Sequence, residues 1–280
     1  MSEAMRHAGI HECGASRGGV DEPWERLALL RAGQLAPPSD HSGKLEAPTG
    51  FEGRMLRPGG LTLTARALEI CALPPGARVL DAGCGAGDSL EFMCGMGLVP
   101  LGIDRSLDQL ARCRARPELP VLRGQAQQLP FGDGCLDGIL SECVLSLLPD
   151  PGQALGEWHR VLRPGGMLAL SDLYALDRRE PLHNAPCPAS CLDGALPLEN
   201  VLELVRAAGF EPLLVEDHTP LLKRFAAELV FAGIPLETFL GRTGDARSDQ
   251  GCRCGHGSNA RRPRAGYYLL VARKMESRHG

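Results

Sequence analysis

Residues 78–87, Arg-Val-Leu-Asp-Ala-Gly-Cys-Gly-Ala-Gly, place an acid and three alternate glycines where an apolar strand ends and a helix begins. Glycine permits positive φ and lets a ligand approach backbone that a Cβ would shield. The first amides of the following helix point at an arriving anionic group. Gly83, Gly85 and Gly87 supply that room and Asp81 supplies a hydrogen-bond acceptor, a combination suited to a nucleotide-like ligand. A dinucleotide fingerprint needs G-x-G-x-x-G, and Asp88 stands where its third glycine belongs, which argues against a nicotinamide cofactor. A second acid, Asp104, ends the next apolar stretch about 20 residues on, where a carboxylate can accept both hydroxyls of a ribose. The competing role for Asp104 is a helix-cap acid before Ser106. Thiols form a further group: Cys187, Cys191 and the run Cys252-x-Cys254-x-His256 offer ligands for a soft ion, or else pack as small apolar residues.

The elements that must position these residues alternate in type. Strands are expected at 78–82, 99–103, 119–123, 136–141, 167–172, 212–216 and 267–272, with helices at 61–71, 87–97, 106–115 and 197–208. Another helix opens at Pro149-Asp150-Pro151, with Ala154, Leu155, Trp158, Val161 and Leu162 at helical spacing, and Arg163-Pro164-Gly165-Gly166 stops it. Residues 220–240 read as helical, interrupted by Gly233 and Pro235. This βαβ alternation predicts an α/β fold: a doubly wound, mostly parallel, seven-stranded Rossmann-like sheet with helices on both faces. Residues 1–50 are expected to form a loose arm with one short helical pattern at 23–32. The domain proper is expected at 51–240 and 265–274, with 241–264 a polar loop rich in Cys, Arg and Gly.

The 280 residues, 44% of them hydrophobic, suffice for one large core, and a net charge of −4 gives no general attraction to nucleic acid. Arg261, Arg262 and Arg264 form the one local basic cluster. No apolar run reaches membrane-spanning length and the first residues lack a secretory signal, so a cytoplasmic protein with no membrane partner is expected. The 11 cysteines then read as reduced thiols rather than a disulfide framework.

The pattern Asp-x-Gly-x-Gly-x-Gly at 81–87 resembles the first motif of the class I S-adenosylmethionine-dependent methyltransferases. Arg123-Gly124-Gln125-Ala126-Gln127-Gln128-Leu129-Pro130-Phe131, followed by Leu136-Asp137, resembles the segment that wraps the adenine in that family, with Gln125 where many relatives carry Asp. Val161-Leu162-Arg163-Pro164-Gly165-Gly166 resembles its helix-to-strand turn. With Asp104 these segments stand in the family's order across 78–172, and the chain is identified as a member of the methyltransferase type 11 kind. The resemblance implies S-adenosylmethionine as cofactor, held by Asp81, Gly83, Cys84, Gly85, Gly87, Asp104, Arg105, Gln125, Ala126 and Ser141.

The acceptor is expected beyond the ends of the fourth and fifth strands, where Glu142, Cys143, Asp172, Tyr174 and Cys191 are the candidates to bind it or handle a proton. The Asn-or-Asp-Pro-Pro-aromatic motif of DNA amino methyltransferases is replaced here by Ser141-Glu142-Cys143-Val144. A small-molecule acceptor and a monomer or homodimer are therefore expected. A weaker resemblance to the arsenite methyltransferase family lies in Ser171-Asp172-Leu173-Tyr174, Cys191-Leu192-Asp193-Gly194-Ala195-Leu196 and Ser141-Glu142-Cys143-Val144. The Tyr-Gly-Cys-Gly segment of that family has no cysteine counterpart in Leu56-Arg57-Pro58-Gly59-Gly60. Two alternatives thus accompany the main reading: a methyltransferase for a thiol-bound metalloid, with Cys187, Cys191, Cys252 and Cys254 as soft-ion ligands, and a non-catalytic thiol-rich binding protein on the same fold.

Overall fold

A computed structural model describes residues 57–114, 119–176, 190–234 and 264–276. Its elements in chain order are α1 (Gly60–Cys71), β1 (Arg78–Ala82), α2 (Asp88–Gly95), β2 (Val99–Asp104), α3 (Leu107–Arg114), β3 (Val121–Arg123) and β4 (Leu136–Glu142). A 3-10 turn at Leu145–Leu147 precedes α4 (Pro151–Val161), β5 (Leu162–Ala175), α5 (Leu198–Ala207), β6 (Phe210–Asp217), α6 (Thr219–Phe231) and β7 (Ala265–Lys274). The seven strands form one sheet in the order β3-β2-β1-β4-β5-β7-β6. β7 runs antiparallel to both neighbours, and the remaining pairs are parallel.

The alternation of each strand divides the core in two. Leu80, Leu101, Ile103, Leu168, Leu170 and Leu270 face α4 and α5, where Trp158 and Val205 are fully enclosed. Val79, Ala169, Leu269 and Val271 face the other side, against Leu68 of α1, Leu90 of α2 and Leu110 of α3. Such period-two burial on both faces is what a doubly wound sheet requires.

α4 starts as its sequence dictates. Asp150 caps it by accepting a hydrogen bond from the Gln153 amide at 2.9 Å, and Pro151 occupies the first turn. Its end differs from the expected turn at 163–166. β5 begins at Leu162, directly after the helix, and Leu162 already pairs with Leu136. The next pairing joins Gly138 to Met167, so Arg163–Gly166 bulge out of the ladder, with Gly165 at φ +72°. β5 also continues past the expected end at 172, because β7 supplies partners as far as Ala175 opposite Ala265. The helix expected over 220–240 closes at Phe231. The arm at 1–50, the pattern at 23–32, Arg261, Arg262 and nearly all of the 241–264 loop lie outside the described residues.

Among the described residues no helix is long and apolar enough to cross a membrane.

Candidate active site

The strand order reverses between β1 and β4, since β1 continues to β2 on one side while β4 lies on the other. A crevice forms at such a point beyond the carboxyl ends of the strands. Here it is a cleft of about 790 Å³. One wall is the turn after β1, with Asp81, Gly83, Cys84, Gly85 and Gly87, together with Asp104 and Arg105 after β2 and Gln125 and Ala126 after β3. The opposite wall holds Glu142, Cys143 and Cys191.

The turn is built around two glycines with different duties. Gly83 has φ +88°, and the place of its absent Cβ is taken by Cγ2 of Val144, so a side chain here would drive the two walls apart. Gly85, at φ +52°, has nothing within 4 Å of its Cβ position and leaves open space for a ligand. The turn is tied to β2 by the Gly83 amide, which donates to the Ile103 carbonyl at 2.8 Å. Asp104 completes the tie: its Oδ2 accepts from the Gly85 amide at 2.9 Å and its Oδ1 from the Ser106 amide at 2.8 Å. It therefore ties the turn together and still lines the cleft, whereas the cap of α3 is Ser106, whose Oγ accepts from the Gln109 amide at 3.3 Å. Gln125 and Ala126 are held from behind by α4, whose Trp158 indole donates to the Ala126 carbonyl at 2.8 Å, while Glu157 accepts from the Leu129 amide at 2.7 Å.

Asp81 is buried, and among the described residues no hydrogen-bond donor reaches its carboxylate. Burial raises its pKa to about 7, Arg57 pulls it down and Asp104 pushes it up. A folded-state pKa above the unfolded value means that the protonated form favours folding below about pH 4, and this contribution is lost as pH rises through about 7. A cationic ligand group docked on Asp81 needs the ionised form, so binding near pH 6 should release a proton. Affinity for S-adenosylmethionine is predicted to fall by up to about tenfold per pH unit below 7, and the slope should vanish in Asp81→Asn. Calorimetry in buffers of different ionisation enthalpy reads the proton directly. An identical slope in the variant would assign the effect elsewhere.

Glu142 is not a free base. Arg57, just before α1, forms an ion pair with its Oε2 and also donates to Thr64 Oγ1 and, at 3.1 Å, to Ser89 Oγ. Ser89 donates in turn to Glu142 Oε2 at 2.9 Å and Thr64 to Oε1 at 3.1 Å. Both side chains are almost wholly enclosed, and burial lowers the Arg57 pKa. Arg57 and Ser89 also line the cleft, and sequence reasoning passed over both. The one signal was a basic residue in the Pro-Gly-Gly stretch ahead of α1.

Asp172 and Tyr174 lie off the cleft. Asp172 is turned into the protein, where its oxygens accept from the Ser146 amide, the Ser146 hydroxyl and the Leu173 amide at 2.9, 2.7 and 2.7 Å. Burial raises its pKa to about 6 against the pull of those bonds. Tyr174 donates to Asp217 at 3.3 Å on β6. Ser141 is enclosed in β4 and its hydroxyl has no partner among the described residues, so it too stands behind the cleft wall rather than on it.

Cys143 and Cys191 do face the cleft. Cys143 has φ +57°, rare for a residue with a side chain, and its Sγ lies 3.1 Å from the hydroxyl of Tyr267 on β7. The Tyr267 hydroxyl also lies 3.3 Å from Ser171 Oγ, so it joins the thiol to β5 through one short chain of polar contacts. Burial pushes both thiols up, Cys191 to about 12, and both are neutral at physiological pH. Cys187, Cys252 and Cys254 lie outside the described residues. Among the described ones no group of three or more His, Cys, Asp or Glu is arranged to hold a metal ion.

Residues 80–170 match the model of a methyltransferase domain. An arsenite methyltransferase of Aquipseudomonas alcaligenes is 37% identical over 167 residues, covering 52% of this chain and 48% of that protein. Methyltransferase GfsG of Streptomyces halstedii is 29% identical over 258 residues, covering 88% of this chain and 90% of that protein. The chain thus spans about half the length of the first curated relatives it matches, at 48% and 52%. Among solved structures, the [4+2]-cyclase SpnF superimposes with a TM-score of 0.58 at 26% identity, over 76% of this chain and 81% of that one. The domain match over residues 80–170, the sheet order and the acidic glycine turn at the β1/β4 crevice make this chain similar to the class I S-adenosylmethionine-dependent methyltransferases, whose cofactor is S-adenosylmethionine.

Proposed function

We propose that this protein transfers the methyl group of S-adenosylmethionine to a small-molecule acceptor within the β1/β4 cleft. The observation that carries this reading is the opposition of two walls in one cleft: the Asp81–Gly87 turn with Asp104 on one side, and Cys143 and Cys191 on the other. The residues present fit the cofactor. Open space at Gly85 admits a bulky ligand, Asp104 faces a ribose from the end of β2, and the unpartnered carboxylate of Asp81 suits an ammonium.

The cofactor supplies a methyl already activated on a sulfonium, so the chain's task is alignment and the exclusion of water. Asp104 and Gln125 orient the nucleoside end, and Asp81 anchors the amino-acid end. Val144, Leu147 and Leu148 keep the acceptor side apolar. Held by these residues, the cofactor would supply its methyl to the acceptor in an in-line displacement, the sulfur keeping the electron pair of the broken bond. Glu142 is occupied by Arg57, Thr64 and Ser89, so the acceptor uses its own lone pair.

The test is calorimetry with S-adenosylmethionine followed by mass spectrometry of small-molecule extracts incubated with the methyl-labelled cofactor. A labelled product supports transfer. Absence of cofactor binding ends the proposal, and a rearranged product without label would point to chemistry of another kind on the same fold, as the cyclase similarity allows.

A second reading, methylation of a thiol-bound metalloid, draws on the arsenite methyltransferase similarity and on two thiols facing one cleft. Both are protonated at neutral pH, so trivalent arsenic would have to displace their protons. Incubation with arsenite tests it. Methylated arsenic from the wild type but not from Cys191→Ala is the result this reading requires.

A further inference from the structure

The acceptor wall is a short irregular segment, Cys143–Leu148, and irregular backbone holds a fixed position only where something outside it supplies bonds. We infer that Asp172 is a positioning residue that fixes this wall against the glycine turn, and so sets where an acceptor stands relative to the methyl group. The inference rests on the proposed transfer in this cleft for its functional meaning, and on the hydrogen bonds themselves for its substance.

Asp172 reaches the middle of the segment from β5. It accepts from the Ser146 amide at 2.9 Å and from the Ser146 hydroxyl at 2.7 Å. Its own orientation is locked by the Leu173 amide at 2.7 Å. The same segment closes on itself, since the Leu147 amide donates to the Val144 carbonyl at 2.9 Å and the Leu148 amide to the Leu145 carbonyl at 3.2 Å. At its start the Cys143 amide donates to the Ser171 carbonyl at 2.8 Å, one residue before Asp172. The wall is therefore stitched to β5 at both Ser171 and Asp172.

The other side of the segment meets the donor turn. Val144 fills the Cβ position of Gly83, so the wall cannot advance without a clash or retreat without losing that contact. A clamp from behind and a stop in front define one position, which is what alignment of an in-line displacement demands. The strained φ of Cys143 fits this arrangement, because such a conformation persists only where surrounding bonds over-determine it. Asp172 thus acts through Ser146 and Val144 without touching the cleft itself.

The experiment compares wild type, Ser146→Ala, Ser146→Thr and Asp172→Asn. The readout is alkylation by iodoacetamide, resolved by cysteine, with Cys71 in α1 as the reference for general loosening. Loss of one hydrogen bond to the wall should raise Cys143 labelling about fivefold over Cys71 in Ser146→Ala, and more in Asp172→Asn. Ser146→Thr, which keeps the hydroxyl, should return it to the wild-type rate, and S-adenosylmethionine affinity should stay within about twofold in all folded variants. Parallel rises at Cys143 and Cys71 would make Asp172 merely structural, and an unchanged Cys143 rate in folded Ser146→Ala would remove the clamp. A fall in cofactor affinity that tracks Cys143 labelling would overturn the assignment to the acceptor side. If the wild type binds no cofactor, the transfer reading fails while the labelling ratio still tests the wall.

Discussion

Replacing Asp104 with alanine is expected to weaken S-adenosylmethionine binding by about a hundredfold, the largest loss for any single residue on the cofactor wall. Two effects combine. On the proposed binding mode a charged acceptor for a ribose diol is removed, at about 1.5–3 kcal/mol for hydrogen bonds to a charged group. In addition, Gly85 and Ser106 lose the carboxylate that their amides use, at 2.9 and 2.8 Å, so the turn itself is released. Asp104→Asn separates the two, because the amide retains one oxygen and can keep either the turn or part of the ribose contact. It should lie between alanine and wild type. Titration calorimetry measures both, and a loss of less than about threefold in Asp104→Ala would rule out a bond to the ligand.

The second large effect concerns stability. Arg57 and Glu142 are a buried ion pair with side chains 7% and 5% exposed, and removing one partner strands the other charge away from water. Glu142→Gln is expected to cost about 3–5 kcal/mol of unfolding free energy, and Arg57→Met a similar amount. The double variant Arg57→Met/Glu142→Leu should recover much of it, since replacing both charges with apolar groups of similar volume is often close to neutral. Urea unfolding of the wild type, Arg57→Met, Glu142→Leu and the double variant closes the cycle. If the double variant loses the sum of the two single losses, the charges are not coupled and the account of Glu142 as a committed group fails. The same Glu142→Gln variant bears on chemistry, because an ion-paired carboxylate is not available to take a proton from an acceptor.

Much of the cleft wall after β1, β2 and β3 was legible in the sequence because it depends on local geometry. Asp81 and the glycines sit at a strand end followed by a helix start, and a turn of that kind has few sterically allowed forms. Asp104 was legible for the same reason, as the acid at the end of the next strand. Gln125 and Ala126 were legible as a motif, but not the means of their placement. The indole of Trp158 on Ala126 joins residues 32 apart in sequence, and periodicity marked Trp158 only as a core residue.

The acceptor side was harder to read because its residue types do not reveal where they point. Glu142, Cys143, Asp172, Tyr174 and Cys191 all belong to segments that end near the crevice. Side chains on successive residues of a strand face opposite sides, and only assembly of the sheet decided that Asp172 turns inward to Ser146 while Cys143 lines the cleft. Arg57 lies far from Glu142 in sequence and reaches it only because α1 packs beside β5 and α2.

By itself the sequence determined the alternation of elements, the doubly wound sheet and the glycine turn after β1, since each follows from periodicity, glycine conformation and residues near one another in the chain. Tertiary structure alone decided which acids are free and which are spent, and which thiols face the cleft. Those properties depend on burial and on hydrogen-bond partners brought from distant elements, and a linear pattern of residue types carries neither.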